Sequence, residues 1–253
     1  MILDAFSLRG KVAIVTGCDT GLGQGMSLGL AEAGCDIIGI NRKYPHDTEQ
    51  QVIALGRRFT AIQADLSQQA SYDALVQEAV SRMGRIDILV NNAGTIRRAD
   101  ALEFSEQDWD DVINLNLKAT FFLCQAVARQ FIAQGGGGKI INIASMLSFQ
   151  GGIRVPSYTA SKSGMLGLTR LLANEWAPHG INVNAVAPGY MATNNTQQLR
   201  EDAQRNDEII NRIPAARWGT PDDLKGPAVF LASSASNYVN GYTLAVDGGW
   251  LAR

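Results

Sequence analysis

Tyr158 and Lys162 are the two residues whose types and spacing point most directly to chemistry. They stand four positions apart in a segment of helical period, so both side chains project from one face, one turn apart. A free phenol has a pKa of about 10 and is a poor base at neutral pH, whereas a neighbouring ammonium favours the phenolate. The pair therefore predicts proton exchange between a tyrosine hydroxyl and an oxygen of a substrate.

Ser145 strengthens this prediction because of its position. It follows the apolar run 139–143, a predicted strand, and parallel sheets bind ligands at the carboxyl ends of their strands. Other catalytic classes find little support. The sequence has no G-x-S-x-G or H-E-x-x-H motif and only 2 histidines, so neither a histidine-based hydrolase nor a metal site is predicted.

A glycine-rich turn follows the first predicted strand and leads directly into a predicted helix. Glycines let the backbone approach a pyrophosphate, whose negative charge is favoured at a helix N-terminus. The same pattern also fits a tight turn without a ligand, but the flanking strand and helix favour a dinucleotide site. The residues predicted to bind the cofactor here are Gly17, Asp19, Thr20, Gly21, Leu22 and Gly23.

Short apolar runs alternate with longer segments of helical period, which is the pattern of a parallel sheet built from βα units. The predicted strands, each expected to be buried on both faces, are 11–16, 35–40, 59–64, 86–90, 139–143, 181–187 and 242–246. The predicted fold is an α/β, single-domain Rossmann-type three-layer fold over residues 1–253, with a seven-stranded parallel sheet and helices on both faces. Residues 191–216 are polar, lack a strand and follow the sixth strand, so they form a candidate substrate lid.

The composition fits a compact α/β chain, with 46% hydrophobic and 18% charged residues and 26 glycines. The net charge of −2 shows no basic stripe, and no apolar run reaches the length of a membrane span, so neither nucleic acid nor a membrane is a predicted partner. The 3 cysteines are far apart and lack CxxC spacing, which favours a reducing compartment over a zinc site. The N-terminal stretch lacks signal-peptide features, and a cytoplasmic location is predicted.

Over nearly its whole length the chain resembles the short-chain dehydrogenases/reductases. The turn has the family's TGxxxGxG spacing, and further motifs follow in the family's order: Asp65-Leu66, Asn91-Asn92-Ala93-Gly94, Asn116, Ser145, Tyr158-xxx-Lys162, Pro188-Gly189 and Asp247-Gly248-Gly249. The resemblance implies a nicotinamide cofactor. It places Asp65 beside the adenine, the stretch Asn92-Ala93-Gly94 against the nucleotide, and Thr193 at the nicotinamide amide. A plain turn at 91–94 and a helix cap at Thr193 are alternatives that are compatible with ligand contact.

The resemblance also implies the catalytic roles. Tyr158 would act as general acid/base, Ser145 would hold the substrate oxygen, Lys162 would also bind the nicotinamide ribose, and Asn116 would anchor a proton-relaying water. An amide bonded to backbone inside a helix is the structural alternative for Asn116. The family further implies a homotetramer whose four-helix interface uses the helices that contain Asn116 and Tyr158.

The choice between NAD and NADP depends on the residues after the second strand, which are Asn41-Arg42-Lys43. An acid there bonds the ribose 2′-hydroxyl of NAD, whereas an arginine accommodates the 2′-phosphate of NADP. Arg42 favours NADP or dual use unless it is a solvated loop charge. A narrower resemblance, described next, favours NAD(H), and Asn41 can still bond a ribose hydroxyl. NAD is therefore predicted first, with NADP as the alternative.

Stretches 144–162, 188–200 and 246–253 resemble a narrower group, the 2-dehydro-3-deoxy-D-gluconate 5-dehydrogenases (2-deoxy-D-gluconate 3-dehydrogenases) of bacterial pectin and uronate breakdown. Arg154, four residues before Tyr158, and Arg97 in the pair Arg97-Arg98 are predicted to bind the carboxylate of a small acidic sugar-derived substrate. Structural roles are the alternative, more for Arg98 than for Arg154. Two other functions remain open: a 3-oxoacyl or polyol reductase of the same family, and a non-catalytic nucleotide sensor, which would show a broken Ser-Tyr-Lys set.

Overall fold

A computed structural model of the protein describes residues 1–68 and 71–253. One sheet of seven parallel strands runs through it in the order β3-β2-β1-β4-β5-β6-β7. Every strand begins and ends within two residues of its predicted bounds, so the predicted Rossmann-type sheet is confirmed. The strands are β1 (Val12–Thr16), β2 (Asp36–Asn41), β3 (Phe59–Gln63), β4 (Ile88–Asn91), β5 (Gly138–Ile143), β6 (Ile181–Pro188) and β7 (Thr243–Val246).

The described residues also form nine α-helices, which pack on both faces of the sheet. They are α1 (Gly21–Glu32), α2 (His46–Ala54), α3 (Tyr72–Met83), α4 (Glu106–Ile113), α5 (Thr120–Gln134), α6 (Pro156–Trp176), α7 (Gln197–Glu201), α8 (Ala203–Arg212) and α9 (Lys225–Ala232). Two large core clusters lie on the sheet: one joins it to α1 and α9 through Leu30 and Leu231, and the second joins it to α3 and α5 through Leu75 and Leu123. In the part of the chain that the structure describes, no helix is long and apolar enough to cross a membrane.

The two edge strands differ from the prediction that every strand is buried on both faces. In β3 only Ile62 is buried, and in β7 no residue is. An edge strand has a neighbour on one side only and lies at the margin of the helical layers, so its apolar side chains are partly exposed. The expectation of burial was wrong for these two strands because sequence hydrophobicity does not reveal where a strand lies within the sheet.

The helical segment between β4 and β5 is divided in the structure. It consists of α4, a π-helical segment over Asn114–Ala119, and α5. Asn116 lies in the π segment and is only 1% exposed. Such segments contain a wider turn than an α-helix and often occur at functional sites.

Residues 191–216 contain no strand, as predicted, but two short helices, α7 and α8. Within α8 only Ile209 is buried. It packs with Ile213, Met146 and Trp250 in a small apolar cluster beyond the carboxyl edge of the sheet. This segment therefore lies over the residues that follow β5.

Candidate active site

The glycine turn lies at the carboxyl end of β1, between β2 and β4. Strand order reverses at this point of the sheet, and ligands of open α/β sheets bind in the crevice it creates. Gly17 has a φ of 64°, and a Cβ on Gly23 would lie 2.1 Å from the Gly17 carbonyl oxygen. Only glycine permits this approach of α1 to the loop. The turn thus provides free backbone at a helix N-terminus, which fits a pyrophosphate.

Asn92 fixes the shape of this turn. Its Nδ2 donates to the carbonyl oxygens of Thr16 (3.0 Å) and Gly17 (2.8 Å). The Thr16 hydroxyl in turn accepts from the backbone N–H groups of Asn92 and Ala93, at 3.0 and 2.9 Å. The predicted nucleotide stretch 92–94 therefore holds the glycine turn in place.

Asn41 also faces the glycine turn rather than the outside. Its Oδ1 accepts from the Cys18 backbone N–H at 2.7 Å, and its Nδ2 donates to the Cys18 sulfur at 3.2 Å. The residue is 6% exposed. Burial raises the pKa of the Cys18 thiol to about 11, so this sulfur is a neutral contact at physiological pH. Because both ends of the Asn41 amide are already bonded, the neighbouring exposed Arg42 is the side chain free to meet a ribose substituent.

We expect Arg42→Asp to lower kcat/KM for NADPH at least tenfold and to leave that for NADH nearly unchanged. A carboxylate repels a 2′-phosphate but can bond a 2′-hydroxyl. Steady-state kinetics with both cofactors measure the effect, and Lys43→Asp is the matched control because it changes the same charge one residue further along an exposed loop. Equal losses with NADH and NADPH would show that Arg42 does not discriminate between them.

The remaining predicted cofactor residues lie around the same crevice. Asp65 follows β3, and its Oδ1 accepts from the Ser67 hydroxyl at 2.6 Å. Leu66 is 6% exposed and packs in the core, so only its backbone can face a nucleotide. Thr193 begins the short turn 194–196, and its Cγ2 would lie 3.5 Å from a Cβ on Gly21.

Pro188 and Gly189 close the crevice at the end of β6. Pro188 is the last residue of the strand, and the Gly189 N–H donates to the Val246 carbonyl at 3.0 Å. A Cβ on Gly189 would lie 2.7 Å from the Asp247 Cα, so the chain passes β7 without room for a side chain. This tight crossing directs residues 190–193 back toward the glycine turn.

The structure brings Ser145, Tyr158 and Lys162 together. Ser145 follows β5 and caps the short turn 146–148, where its hydroxyl oxygen accepts from the Leu147 N–H at 3.2 Å. Tyr158 and Lys162 lie on the first turns of α6, and the Lys162 Nζ is 5.7 Å from the centre of the Tyr158 ring. A hydrogen bond from Ser145 also bears on the Tyr158 hydroxyl.

The electrostatics of Tyr158 differ from the prediction. Burial raises the pKa of its hydroxyl, and this outweighs the lowering by the Ser145 hydrogen bond and by the charge of Arg98. The net shift is thus opposite to the predicted lowering, because desolvation of the phenolate is the larger effect. Tyr158 is protonated at neutral pH and suited to give a proton to a ketone oxygen.

Lys162 is a buried ammonium, 5% exposed, and its Nζ donates to the carbonyl oxygen of Ile143. Burial lowers its pKa to about 8. Among the described residues it has no carboxylate within 4.0 Å. Such an ammonium keeps hydrogen-bond donors for a ligand, and these fit the hydroxyls of a nicotinamide ribose.

Asn116 connects the π segment to the loop after β4. Its Oδ1 accepts from the Thr95 N–H at 2.8 Å, and its Nδ2 donates to the Thr95 carbonyl (2.9 Å) and to the Ser161 hydroxyl (3.2 Å). The amide thus joins the loop after β4 to α6 at Ser161, the residue before Lys162. Its predicted water-anchoring role stays a prediction.

The two arginines predicted to bind a substrate carboxylate both have acidic partners. Arg97 contacts Asp111 at 3.0 Å and Asp108 at 3.3 Å. Arg154 contacts Asp100 at 3.1 Å and adopts a positive φ of 62°, which is uncommon outside glycine. Their predicted substrate contacts stay predictions, and each would require exchange of an existing ion pair.

Arg98, for which a structural role was the stronger alternative in the sequence analysis, has different surroundings from Arg97 and Arg154. Its charge lowers the pKa of Tyr158, and its Nη2 donates to the Asn195 carbonyl at 3.4 Å. Among the described residues no carboxylate lies within 4.0 Å of it. The sequence shows only an Arg-Arg pair after 91–94, and nothing in it indicates which member has acidic partners.

The strand order, the glycine turn in the crevice and the polar residues at the carboxyl edge of the sheet are the arrangement expected of an oxidoreductase with a nicotinamide cofactor. A family model described as short chain dehydrogenase matches residues 11–204. The chain belongs to the short-chain dehydrogenase family, and it is an NAD(P)-dependent alcohol dehydrogenase or ketone reductase.

Individual relatives agree with this class over the full length of the chain. The 2-dehydro-3-deoxy-D-gluconate 5-dehydrogenase of Escherichia coli (strain K12) is 74% identical over 253 residues, covering 100% of both chains. The protein of that name from Bacillus subtilis (strain 168) is 55% identical over 252 residues, covering 99% of this chain and 98% of its own. The crystal structure of a gluconate 5-dehydrogenase from Burkholderia cenocepacia J2315, in complex with NADP and tartrate, is 40% identical, with a TM-score of 0.95 and 100% coverage of both chains.

Proposed function

We propose that the protein interconverts a secondary alcohol and a ketone on a keto-deoxy sugar acid, as a 2-dehydro-3-deoxy-D-gluconate 5-dehydrogenase. Two full-length relatives of that name support the substrate class. The structural observation that carries the proposal is Arg98, a cation without a carboxylate partner among the described residues, whose Nη2 donates to the Asn195 carbonyl at 3.4 Å and whose charge lowers the pKa of Tyr158. An acidic substrate whose reacting oxygen meets Tyr158 would find its counter-charge there.

The residues divide the chemistry between them. Tyr158 exchanges a proton with the alcohol or ketone oxygen. The Ser145 oxygen accepts from the Leu147 N–H, and its hydroxyl, which acts on the Tyr158 hydroxyl, would donate its proton to a substrate oxygen that binds between the two. Lys162 holds the cofactor ribose through a buried ammonium. When bound, the nicotinamide supplies or accepts the hydride.

We expect Arg98→Ala to lower kcat/KM for the sugar acid about ten- to a hundredfold, the size of a lost charge-assisted contact of about 1.5 to 3 kcal/mol. An analogue in which an amide replaces the acid should lose little from the same substitution, because no charge remains to be paired. Steady-state kinetics of both proteins with both substrates measure the coupling. Since the Arg98 charge lowers the pKa of Tyr158, the pH profile of the variant should also move to higher pH.

Arg97→Ala and Arg154→Ala are the matched controls, since each removes an equal charge from a neighbouring loop. Both arginines already contact acids, so each should lose less than Arg98→Ala and show no preference for the acidic substrate. If Arg154→Ala instead lowers kcat/KM selectively for the acidic substrate, Arg154 is the residue that contacts the carboxylate. Equal losses on acid and amide in all three variants would contradict a carboxylate contact at any of them.

The function is tested by offering the purified protein a panel of substrates with NADH and NADPH. We expect turnover of 2-dehydro-3-deoxy-D-gluconate or its ketone product to exceed that of 3-oxoacyl thioesters and neutral polyols. Preferred reduction of an oxoacyl thioester or a polyol would support the second candidate within the family. Cofactor binding without turnover of any of them would support a nucleotide sensor, although the Ser145-Tyr158-Lys162 set is complete.

We further propose a cytoplasmic homotetramer that acts in sugar-acid breakdown such as pectin degradation, with residues 191–216 as the substrate lid. Apolar side chains exposed on α5 and α6, among them Phe122, Ile132 and Leu171, support an interface between copies of the chain. Three buried free thiols support a reducing compartment. The hydrogen bond from Arg98 to the Asn195 carbonyl supports the proposed lid role, because it joins residues 191–216 to the cation that lowers the pKa of Tyr158.

A further inference from the structure

The turn Asp247-Gly248-Gly249, which follows β7, packs closely against the end of α8. Both glycines have a positive φ, 64° and 91°. A Cβ on Gly248 would lie 2.9 Å from the Ile213 side chain, and one on Gly249 would lie 3.0 Å from Pro214. The Asp247 carboxylate stabilises the turn by accepting from the Gly249 N–H at 2.9 Å. The motif therefore brings the next residues of the chain into contact with the proposed lid.

Trp250 is the first side chain after this turn and is 5% exposed. It packs with Ile209 and Ile213 of the lid and with Met146, the residue after Ser145. The Arg212 guanidinium lies 4.0 Å from the centre of the Trp250 ring, a cation–π distance. The indole Nε1 is buried and has no hydrogen-bond partner among the described residues, so packing and the cation hold the ring there.

Arg253 binds the carboxyl end of α8. Its Nη2 donates to the Asn211 carbonyl at 2.7 Å and its Nε to the Arg212 carbonyl at 3.1 Å. The last carbonyls of a helix have no partner within the helix, and a positive charge is favoured beside them. The Arg212 side chain in turn donates a hydrogen bond of 3.2 Å to the Gln150 Oε1, on the loop between Ser145 and Tyr158.

α8 also accepts a hydrogen bond from the Trp218 Nε1, at 2.8 Å, through Asn206, but it contributes little to the core. It is 10 residues long and buries only Ile209. A helix of this length is marginal in water without tertiary packing. We propose that Trp250 and Arg253 are positioning residues that fix α8, and through it the wall of the substrate pocket. The proposal rests on the proposed role of residues 191–216 as the lid.

Arg253→Ala tests the proposal on an exposed residue whose loss leaves the core intact. We expect the substrate KM to rise about five- to tenfold, since two hydrogen bonds of the usual net strength are lost, while the cofactor KM stays unchanged. Amide hydrogen exchange in residues 203–213 should become faster. Arg253→Lys, which keeps the charge but not the two-pronged geometry, should recover part of both effects. Arg205→Ala is the matched control, because this arginine of α8 pairs with Glu208 on the surface of the same helix.

Substitutions of Trp250 provide a second, independent test of the proposal. Trp250→Phe keeps an aromatic ring and removes only the unpartnered N–H, so its substrate KM should stay within about twofold of wild type. Trp250→Ala should raise the substrate KM at least as much as Arg253→Ala. Unchanged exchange in residues 203–213 in Arg253→Ala would overturn the proposal, as would faster exchange with an unchanged substrate KM. Amide hydrogen exchange is measured without substrate. A wild-type protein that does not turn over sugar acids would therefore contradict the proposed function, whereas the anchoring of α8 would still be decided by exchange alone.

Discussion

Tyr158→Phe is expected to lower kcat about a hundred- to ten-thousandfold, the range that general acid–base catalysis contributes, while cofactor affinity stays unchanged. The substitution removes only the hydroxyl that exchanges a proton with the substrate. The ring keeps its place beside Lys162, whose Nζ is 5.7 Å from the ring centre. Turnover at saturating substrate and a fluorescence titration of NADH or NADPH measure the two quantities separately.

The pH dependence of the wild type provides a second readout of the same group. Burial raises the pKa of the Tyr158 hydroxyl, so the phenol persists above neutral pH. Ketone reduction, which needs the proton, should therefore continue to higher pH than a free phenol would allow, and alcohol oxidation should rise with pH. Tyr238→Phe is the control, because that tyrosine is fully exposed. Near-normal turnover in Tyr158→Phe would contradict the assignment of the acid/base.

Lys162→Met is expected to abolish most turnover, raise the cofactor KM at least tenfold and yet make the protein more stable at pH 7. Burial lowers the pKa of Lys162 from 10.5 to about 8, so the folded state disfavours the ammonium. An apolar side chain of similar length removes that penalty. The gain in the free energy of unfolding should be on the order of 1 to 3 kcal/mol.

The difference in the free energy of unfolding between wild type and Lys162→Met should depend on pH. Between about pH 8 and 10.5 the unfolded chain binds the proton at Lys162 and the folded chain has released it, so the stability of the wild type rises with pH across this window relative to Lys162→Met. Below pH 8 the penalty is complete, and the variant has its largest advantage. Urea unfolding at pH 7 and pH 10 measures the difference.

Lys139→Met is the comparison for Lys162→Met. Burial also lowers the pKa of Lys139 to about 8, but its Nζ binds Asn182 and Asn237 at the amino end of the sheet. This variant should keep its turnover and its cofactor affinity. A Lys162→Met protein that is less stable than wild type at pH 7, or that binds cofactor normally, would rule out the proposed balance between stability and function at this residue.

Local patterns were sufficient to predict the sheet and the proximity of Tyr158 to Lys162. Strands such as β1 and β6 are buried on nearly every residue, so their apolar runs are unmistakable in the sequence. Tyr158 and Lys162 are brought together by the helix that contains both, and the glycine turn is bounded by its own strand and helix. In each case the sequence separation is short, and the geometry follows from the period of the secondary structure.

Contacts between distant segments could not be predicted in the same way. The sequence could not show which of the three arginines has an acidic partner. Asp100, Asp108 and Asp111 become neighbours of Arg154 and Arg97 only after folding. The direction of the Asn41 amide depends likewise on Cys18, 23 residues earlier in the chain. Short polar helices such as α7 and α8 were not predicted because they contain few apolar residues and their stability comes from tertiary contacts.

The π-helical segment Asn114–Ala119 sets the phase between α4 and α5. An α-helix turns by about 100° per residue, so the wider turn rotates everything before it relative to everything after it. Removing one residue from this segment would restore an unbroken helix and swing the Asn116 amide away from Thr95, which it now meets at 2.8 and 2.9 Å. The direction of the Asn116 amide is thus set by the number of residues in the π-helical segment. A deletion there would alter the loop after β4 without replacing any side chain that contacts this loop.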